Sequence, residues 1–272
     1  MAWRLLNFQK HNIFENMAID EAIFHETIKN KKAPTIRFYN SQPAAISIGY
    51  FQDARNEVNI EKCYKARVDI ARRITGGKAV FHFNEITYSV IAPDQEKSFP
   101  PDILGTYKVI SECIACGLAY LGIKADLVES GRIVAAQKAE TYCFSVPSKN
   151  ELLVKGRKIC GSAQVRRRGG FLQHGSLLLA FDPVKTADLL LPVRTTRHVE
   201  KLKKTVTAIN EEIVSPVDVL EVCSKLRKGF IDKLDIDLMD GTLTSAEETL
   251  KNKLMEKYSN TRWNIQGENI LN

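Results

Sequence analysis

The run Arg72-Arg73-Ile74-Thr75-Gly76-Gly77-Lys78-Ala79-Val80-Phe81-His82 constrains this chain more than any other segment. Two arginines lead into a Gly-Gly turn, and an apolar stretch then ends on a histidine. Paired glycines let a backbone pass close to a ligand, because no Cβ intervenes and positive φ is sterically open to them. The adjacent arginines offer fixed-fork donors for a carboxylate, phosphate or acyl phosphate. Short strands at 68–72 and 79–82 are expected on either side of the turn. A second segment, Gly156-Arg157-Lys158-Ile159-Cys160-Gly161-Ser162-Ala163-Gln164, again combines a lysine with small residues. Together they point to a site that holds an acyl group and handles its carbonyl.

The surrounding pattern is α+β, a mostly antiparallel sheet with helices packed on it. Residues 12–30 repeat apolar side chains at helical spacing through Phe14, Ala18 and Ala22, with Ile19 and Ile23 widening the stripe. Strands are predicted at 35–39, 44–50 and 85–92, the last from the alternation of Ile86, Tyr88 and Val90. A short helix is expected at 57–66 and a long one at 103–121, then a meander over 151–181 with turns at Lys155-Gly156 and Gly169-Gly170. Residues 205–213 read as loop and 216–234 as helix. Thr244 and Glu247 have the spacing of a capping box before a last helix. Residues 1–215 carry the acyl-site pattern, and 216–272 read as a mainly helical extension packed on the same domain.

At 272 residues the chain can bury a sizeable core, roughly 70–75% of its extended surface. No apolar run reaches the roughly 18–20 residues of a membrane helix. Arg4, Asn7, Gln9, Lys10 and His11 interrupt any signal-peptide core, so a cytoplasmic protein is expected. In that compartment its six cysteines are reduced. Cys113-x-x-Cys116 has no second pair, and Ile110, Ile114, Leu118 and Leu121 give it a core-helix setting, so no metal site is assigned. The net charge of +7 suggests an acidic partner. Arg166-Arg167-Arg168-Gly169-Gly170 is the densest basic cluster and reads as a turn between strands. No nucleic-acid signature accompanies it.

Three kinds of residue are candidates for chemistry. Cys143, in Thr141-Tyr142-Cys143-Phe144-Ser145-Val146-Pro147-Ser148, sits in a loop and offers a thiol for two-step acyl transfer. A thiol with an ordinary pKa near 8.5 needs a nearby cation to ionise at neutral pH. Lys158 is one such cation, and it would also stabilise a tetrahedral oxyanion. Strand alternation puts Cys160 on the same face as Lys158, making it a rival nucleophile. His82 is a candidate general base or hydrogen-bond donor to an acyl carbonyl, and His174 reads as structural.

These segments resemble the lipoate–protein ligase and octanoyltransferase family, whose catalytic domain is related to biotin protein ligases and class II tRNA synthetases. Asn16-Met17-Ala18-Ile19-Asp20-Glu21-Ala22 looks like its first helix, and 72–82 is similar to R-R-x-[ST]-G-G-x-A-V-x-H. Gly156 to Ala163 resembles G-x-K-x-x-G-S-A, and Gln173-His174-Gly175-Ser176-Leu177 resembles the strand that follows. Ligases of the family usually carry a third glycine where this chain has Lys78. Cys143-Phe144-Ser145-Val146-Pro147-Ser148 looks like the C-F-x-x-P-S loop of its ligase-like octanoyltransferases. The resemblance implies an octanoyltransferase of lipoate biosynthesis that needs neither cofactor nor metal, and a monomer is expected. Cys143 is then the nucleophile and Lys158 its activating lysine. Arg73, Thr75, Gly76, Gly77, Lys78, Ala79, Val80, His82, Gly161, Ser162 and Ala163 are the implied substrate-binding residues. The donor would be octanoyl-acyl carrier protein. The acceptors would be lipoyl-domain proteins, such as glycine cleavage H protein or dehydrogenase E2 subunits. An ATP-dependent lipoate–protein ligase and an amidotransferase between lipoyl domains are the enzymatic alternatives. A non-catalytic binding module using Arg166 to Arg168 is the alternative of another class.

Overall fold

The computed structural model describes residues 2–128, 151–191 and 195–268. Along the chain run β1 (Trp3–His11), α1 (Ile13–Asn30), β2 (Thr35–Ser41), β3 (Ala45–Ile48), α2 (Ala54–Glu57), α3 (Ile60–Lys65), β4 (Asp69–Arg72), β5 (Val80–His82) and β6 (Glu85–Pro93). There follow α4 (Ile103–Ala119), β7 (Asp126–Leu127), β8 (Leu152–Val154), β9 (Arg157–Arg167), β10 (Gly170–Leu178), α5 (Pro183–Leu190), α6 (Thr196–Thr205) and α7 (Ile209–Glu212). The last elements are α8 (Val219–Leu234), β11 (Leu238–Asp240), α9 (Ser245–Tyr258) and a π-helical turn, Arg262–Gln266.

Local chemistry sets several of these boundaries. Asn12 caps α1 by accepting from the Glu15 amide, and Asp102 caps α4 by accepting from Gly105. Thr244 and Glu247 form the expected capping box of α9. Lys155 and Gly156 both adopt positive φ, which joins β8 to β9 by a tight hairpin. The sequence pattern missed β1, α5 and α6, and it read as loop a stretch that contains α7. In α6 the interspersed lysines and arginine hide the stripe, because only Val199 and Leu202 are buried.

An eight-stranded sheet runs β11-β1-β2-β6-β10-β9-β8-β7. Among its pairs, β1 lies parallel to β11 and β2, and the others are antiparallel. A three-stranded sheet runs β4-β3-β5. The strands on either side of the Gly-Gly turn therefore do not pair with each other; both pair with β3. One face of the large sheet carries Ile36, Phe38, Ile86, Tyr88, Val90 and Phe171, packed with Ile110, Cys113 and Ile114 of α4 and Val222, Leu226 and Phe230 of α8. The other face is covered by α1, which packs in turn with Leu254 and Tyr258 of α9 and with Trp263. No helix among the described residues is long and apolar enough to cross a membrane.

Candidate active site

Strand alternation makes the face beneath α1 polar. It carries Arg37 and Tyr39 on β2, Glu85, Thr87 and Ser89 on β6, and His174 and Ser176 on β10, and all are buried. Such groups must find partners within the protein. Asp20, on the inner side of α1, supplies four of them. Its carboxylate accepts from Arg37 Nη1 (2.9 Å), Tyr39 Oη (2.8 Å) and Ser89 Oγ (3.0 Å), and faces His174 Nδ1 at 3.3 Å. Burial opposes its ionisation, but the His174 hydrogen bond and the Arg37 guanidinium hold its pKa below the ordinary carboxylate value. Burial, with Arg73 and His82 nearby, lowers the pKa of His174 in spite of Asp20. The imidazole is thus neutral at neutral pH. With Nδ1 donating to Asp20, its Nε2 accepts from the Thr75 hydroxyl at 2.7 Å.

A second relay starts at Arg73. Its Nη1 donates to Ser47 Oγ (3.1 Å), Ser47 lies 2.8 Å from His82 Nε2, and His82 Nδ1 lies 3.0 Å from Glu85 Oε1. Thr87 donates to the same carboxylate oxygen at 2.6 Å. The two relays wall a small cavity of about 40 Å³. Gly161, Ser162 and Ala163 of β9 face it, with Gly175 and Ser176 of β10 and Met17 of α1. The Ser176 hydroxyl is buried there and has no hydrogen-bond partner among the described residues. The exposed Gly77 and half-buried Lys78 also line it, and so bring it to the surface.

The arginine forks do not wait open for an anion. Arg73 Nη2 donates to the carbonyls of Gly76 and Lys78, both at 2.8 Å, and so curls the Gly-Gly loop around its own side chain. Gly77 takes φ of 87°, and a Cβ on Gly49 would lie 2.0 Å from the Gly77 carbonyl oxygen. Only glycine fits that crossing. Arg72 faces away from the cavity. It donates to the carbonyls of Gly49, Tyr50 and Gln52 on one side and of Trp263 and Ile265 on the other. Its own carbonyl accepts from Trp263 Nε1 at 2.9 Å, and its amide donates to Asn264 Oδ1 at 3.0 Å. The C-terminal turn thus clasps the start of the Gly-Gly loop.

Of the residues expected at the site, the structure gathers Arg73, Gly77, Lys78, Val80, His82, Gly161, Ser162 and Ala163 around the cavity. Thr75 stands behind it as the partner of His174, and Gly76 serves through its carbonyl. Ala79 packs away from it, with Ile46, Ile48 and Phe81. Lys158 is buried on β9, where its ammonium lies 2.6 Å from Glu151 Oε1. Pairing between β8 and β9 slips opposite Lys158 and Cys160, and Ile159 and Cys160 both enter the same apolar cluster. Strict alternation therefore fails at that point. Burial pushes the Cys160 thiol up to about 12, which removes its thiolate at neutral pH. Cys143 lies outside the described residues.

Sequence reasoning missed Asp20, Tyr39, Ser47, Glu85, Thr87, Ser176 and Glu151 as parts of this region. Polar residues alternating with apolar ones read as a solvent face, and here that face is covered by α1. The signal available was the recurrence of small hydroxyls and acids on adjacent strands.

A family model of the lipoyl protein ligase A/B catalytic domain matches residues 12–231. Octanoyltransferase LipM of Clostridioides difficile is 36% identical over 265 residues, spanning 96% of this chain and 98% of that one. Octanoyltransferase LipM of Bacillus subtilis is 37% identical over 272 residues, spanning 97% and 98%. Among solved structures, a lipoate-protein ligase A bound with ATP superposes with a TM-score of 0.82 at 28% identity, covering 98% of this chain and 100% of that one. A bipartite lipoate protein ligase from Thermoplasma acidophilum, described with its E2 lipoyl domain, gives 0.81 at 26% identity, covering 99% of each. Matched by the family model over residues 12–231 and by these relatives over nearly its full length, this chain belongs to the lipoyl protein ligase A/B catalytic-domain family.

Proposed function

We infer that this chain is an octanoyltransferase of lipoate biosynthesis, acting on lipoyl-domain proteins. The observation that carries this reading is its near-full-length similarity to octanoyltransferases at 36–37% identity. Octanoyl-acyl carrier protein is the donor. The Cys143 thiolate attacks the thioester carbonyl, the tetrahedral oxyanion collapses, and the carrier leaves as a thiol, taking up one proton. A neutral lysine amine of the lipoyl domain then attacks the octanoyl-Cys143 thioester. An amide forms, the Cys143 thiolate is released, and the amine gives up a proton. Thioester to amide is downhill, so the step draws on no nucleotide.

Several features support this order of events. The rival thiol, Cys160, is held protonated in an apolar setting. Lys158 is a buried ammonium whose charge is shared with Glu151, and we assign it to activation of the Cys143 thiol. The cavity offers the Ser176 hydroxyl, unpartnered among the described residues, as a donor to the acyl carbonyl. His174 and His82 are held by carboxylates and orient Thr75 and Ser47.

Intact-protein mass spectrometry after incubation with octanoyl-acyl carrier protein, without ATP, tests this directly. One octanoyl adduct, labile to hydroxylamine, is expected on the wild type and on Cys160→Ser and is absent from Cys143→Ser. Loss only in Cys160→Ser would move the nucleophile. An adduct on no variant, with lipoyl transfer appearing on addition of lipoate and Mg-ATP, would make the chain a ligase. Octanoyl transfer only from an octanoylated lipoyl domain would make it an amidotransferase.

A further inference from the structure

On the far side of the acyl-site loop, a groove of about 1040 Å³ runs between α1, α9 and the β9–β10 turn. Its floor is apolar, with Ile74, Leu250, Leu254 and Trp263. The buried lysine set into that floor is paired: Lys257 Nζ lies 2.9 and 2.8 Å from the two oxygens of Glu21, whose Oε1 also lies 3.4 Å from His25 Nε2. At the rim stand Lys29, Arg167 and Lys253, all exposed and in no ion pair among the described residues. Glu26, the other acid lining the groove, is held by Asn30 (2.8 Å) and lies 3.7 Å from Lys32. The rim is therefore net positive around an apolar, aromatic centre, the anatomy of a protein-docking surface.

Two connections tie the groove to the cavity. Ile74 lines the groove and its neighbour Thr75 bonds His174 at the cavity wall. Along one face of β9, Ala163 lines the cavity, Val165 packs beside α1 and Arg167 lines the groove. At strand rise, Ala163 and Arg167 are roughly 13 Å apart. A partner seated in the groove is thus within reach of the cavity by a flexible arm. Arg167 is also partly preorganised, with its guanidinium 5.9 Å over the Phe24 ring, which lowers the ordering cost of binding.

We propose that this groove docks the acyl carrier protein, with Lys29, Arg167 and Lys253 meeting the acidic surface of that protein. The proposal rests on the octanoyltransferase reading for its partner. Charge complementarity selects the occupant, since acyl carrier proteins are acidic as a class and like-charged partners are repelled.

The test compares two octanoyl thioesters, one on acyl carrier protein and one on free pantetheine. For Arg167→Glu/Lys253→Glu, the KM for the carrier-bound donor is expected to rise about tenfold or more, and its salt dependence to flatten. The KM for octanoyl-pantetheine and for the lipoyl domain should stay within about twofold, because neither uses the groove. An equal rise for both thioesters, or no rise for the carrier, overturns the proposal. A rise confined to the lipoyl domain overturns it too, by giving the groove to the acceptor. Fluorescence anisotropy with labelled acyl carrier protein reads docking without catalysis. Weaker binding to the double variant than to the wild type supports the groove even if no transfer occurs. Absence of transfer from either thioester would then fall on the octanoyltransferase reading alone.

Discussion

Asp20 and Glu21 are consecutive buried acids on α1, and each is ionised, yet they do different work. Asp20 faces inward, where a guanidinium, a phenol, a serine hydroxyl and an imidazole converge on it beside the cavity. Glu21 faces the C-terminal helix, where Lys257 Nζ meets both of its oxygens and Tyr258 donates at 2.6 Å. Burial works against both charges. Hydrogen bonding from His25 and the Lys257 ammonium hold Glu21 down at about 2. One carboxylate holds the polar side chains beside the cavity, and the other fastens α9 to α1. One turn of a helix can thus serve two regions whose requirements differ.

Replacing Asp20 should have the largest effect. Asp20→Ala leaves Arg37 buried without its carboxylate, a loss of about 3–5 kcal/mol of stability, and frees His174 from its tautomer. Urea unfolding should show the loss, and acyl-enzyme formation should fall by more than about tenfold even where the protein remains folded. If transfer survives at wild-type rate in the folded fraction, Asp20 belongs with Glu21 as a structural acid.

Glu21→Gln sharpens the same contrast from the other side. At neutral pH it strands Lys257, for a loss on the order of 3 kcal/mol, while the rate constant for acylation should change by less than about twofold because no cavity contact is touched. Its pH signature has a definite sign. A carboxyl depressed in the folded state contributes stability above its unfolded pKa, near 4.3, and loses it as pH falls toward the folded value. Wild type should therefore lose its advantage over the Gln variant between about pH 4.5 and pH 2, read by thermal melts across that range. A constant gap between the two would contradict the ion-pair account.

How far the sequence could anticipate this contrast depended on the kind of signal. Glycine pairs, the capping box of α9 and the positive-φ hairpin at Lys155-Gly156 are local, and each appeared where its residues required. The acyl-site motifs were equally local, which is why most of the residues named from them converge on one cavity. The polar sheet face was illegible because its alternation is that of an ordinary half-exposed strand; only α1, arriving from elsewhere in the chain, makes Glu85, Thr87 and Ser89 interior. The pairing of Lys158 with Glu151, and the break in alternation at Ile159, depend on a one-residue slip that no periodicity reveals. Arg72 and Arg73 were legible as a pair, though their acceptors are the backbone carbonyls of a loop and not a bound anion.

His174 belongs to the Asp20 region and gives it a second pH signature, of smaller size. Its pKa is lowered in the fold, so below the unfolded value the unfolded chain takes up a proton that the folded chain refuses. Stability should therefore fall as pH drops below about 6.5, with a slope of at most about 1.4 kcal/mol per pH unit. Chemical denaturation from pH 7 to 5 should show that slope in wild type and a flatter one in His174→Gln. Equal slopes would mean that the imidazole is already charged, and Thr75 would then have no acceptor at Nε2.

The smallest expected effect tests whether the two regions are independent at all. Trp263 touches both. Its ring lies 4.0 Å under Lys257, on the Glu21 side, and its Nε1 donates to the carbonyl of Arg72, which leads into the cavity loop. Trp263→Phe keeps an aromatic face for Lys257 and removes the donor. The loss of one such hydrogen bond is worth about 1 kcal/mol of stability. Arg72 keeps its backbone acceptors at Gly49, Tyr50 and Gln52 and its tie to Asn264, so the loop retains its anchor. The KM for octanoyl-pantetheine, a donor that does not use the groove, should consequently move by less than about threefold, with kcat unaltered. A tenfold change in either constant at that small stability loss would mean that the helix clamp and the cavity form one coupled unit. The division between Asp20 and Glu21 would then describe two ends of a single network.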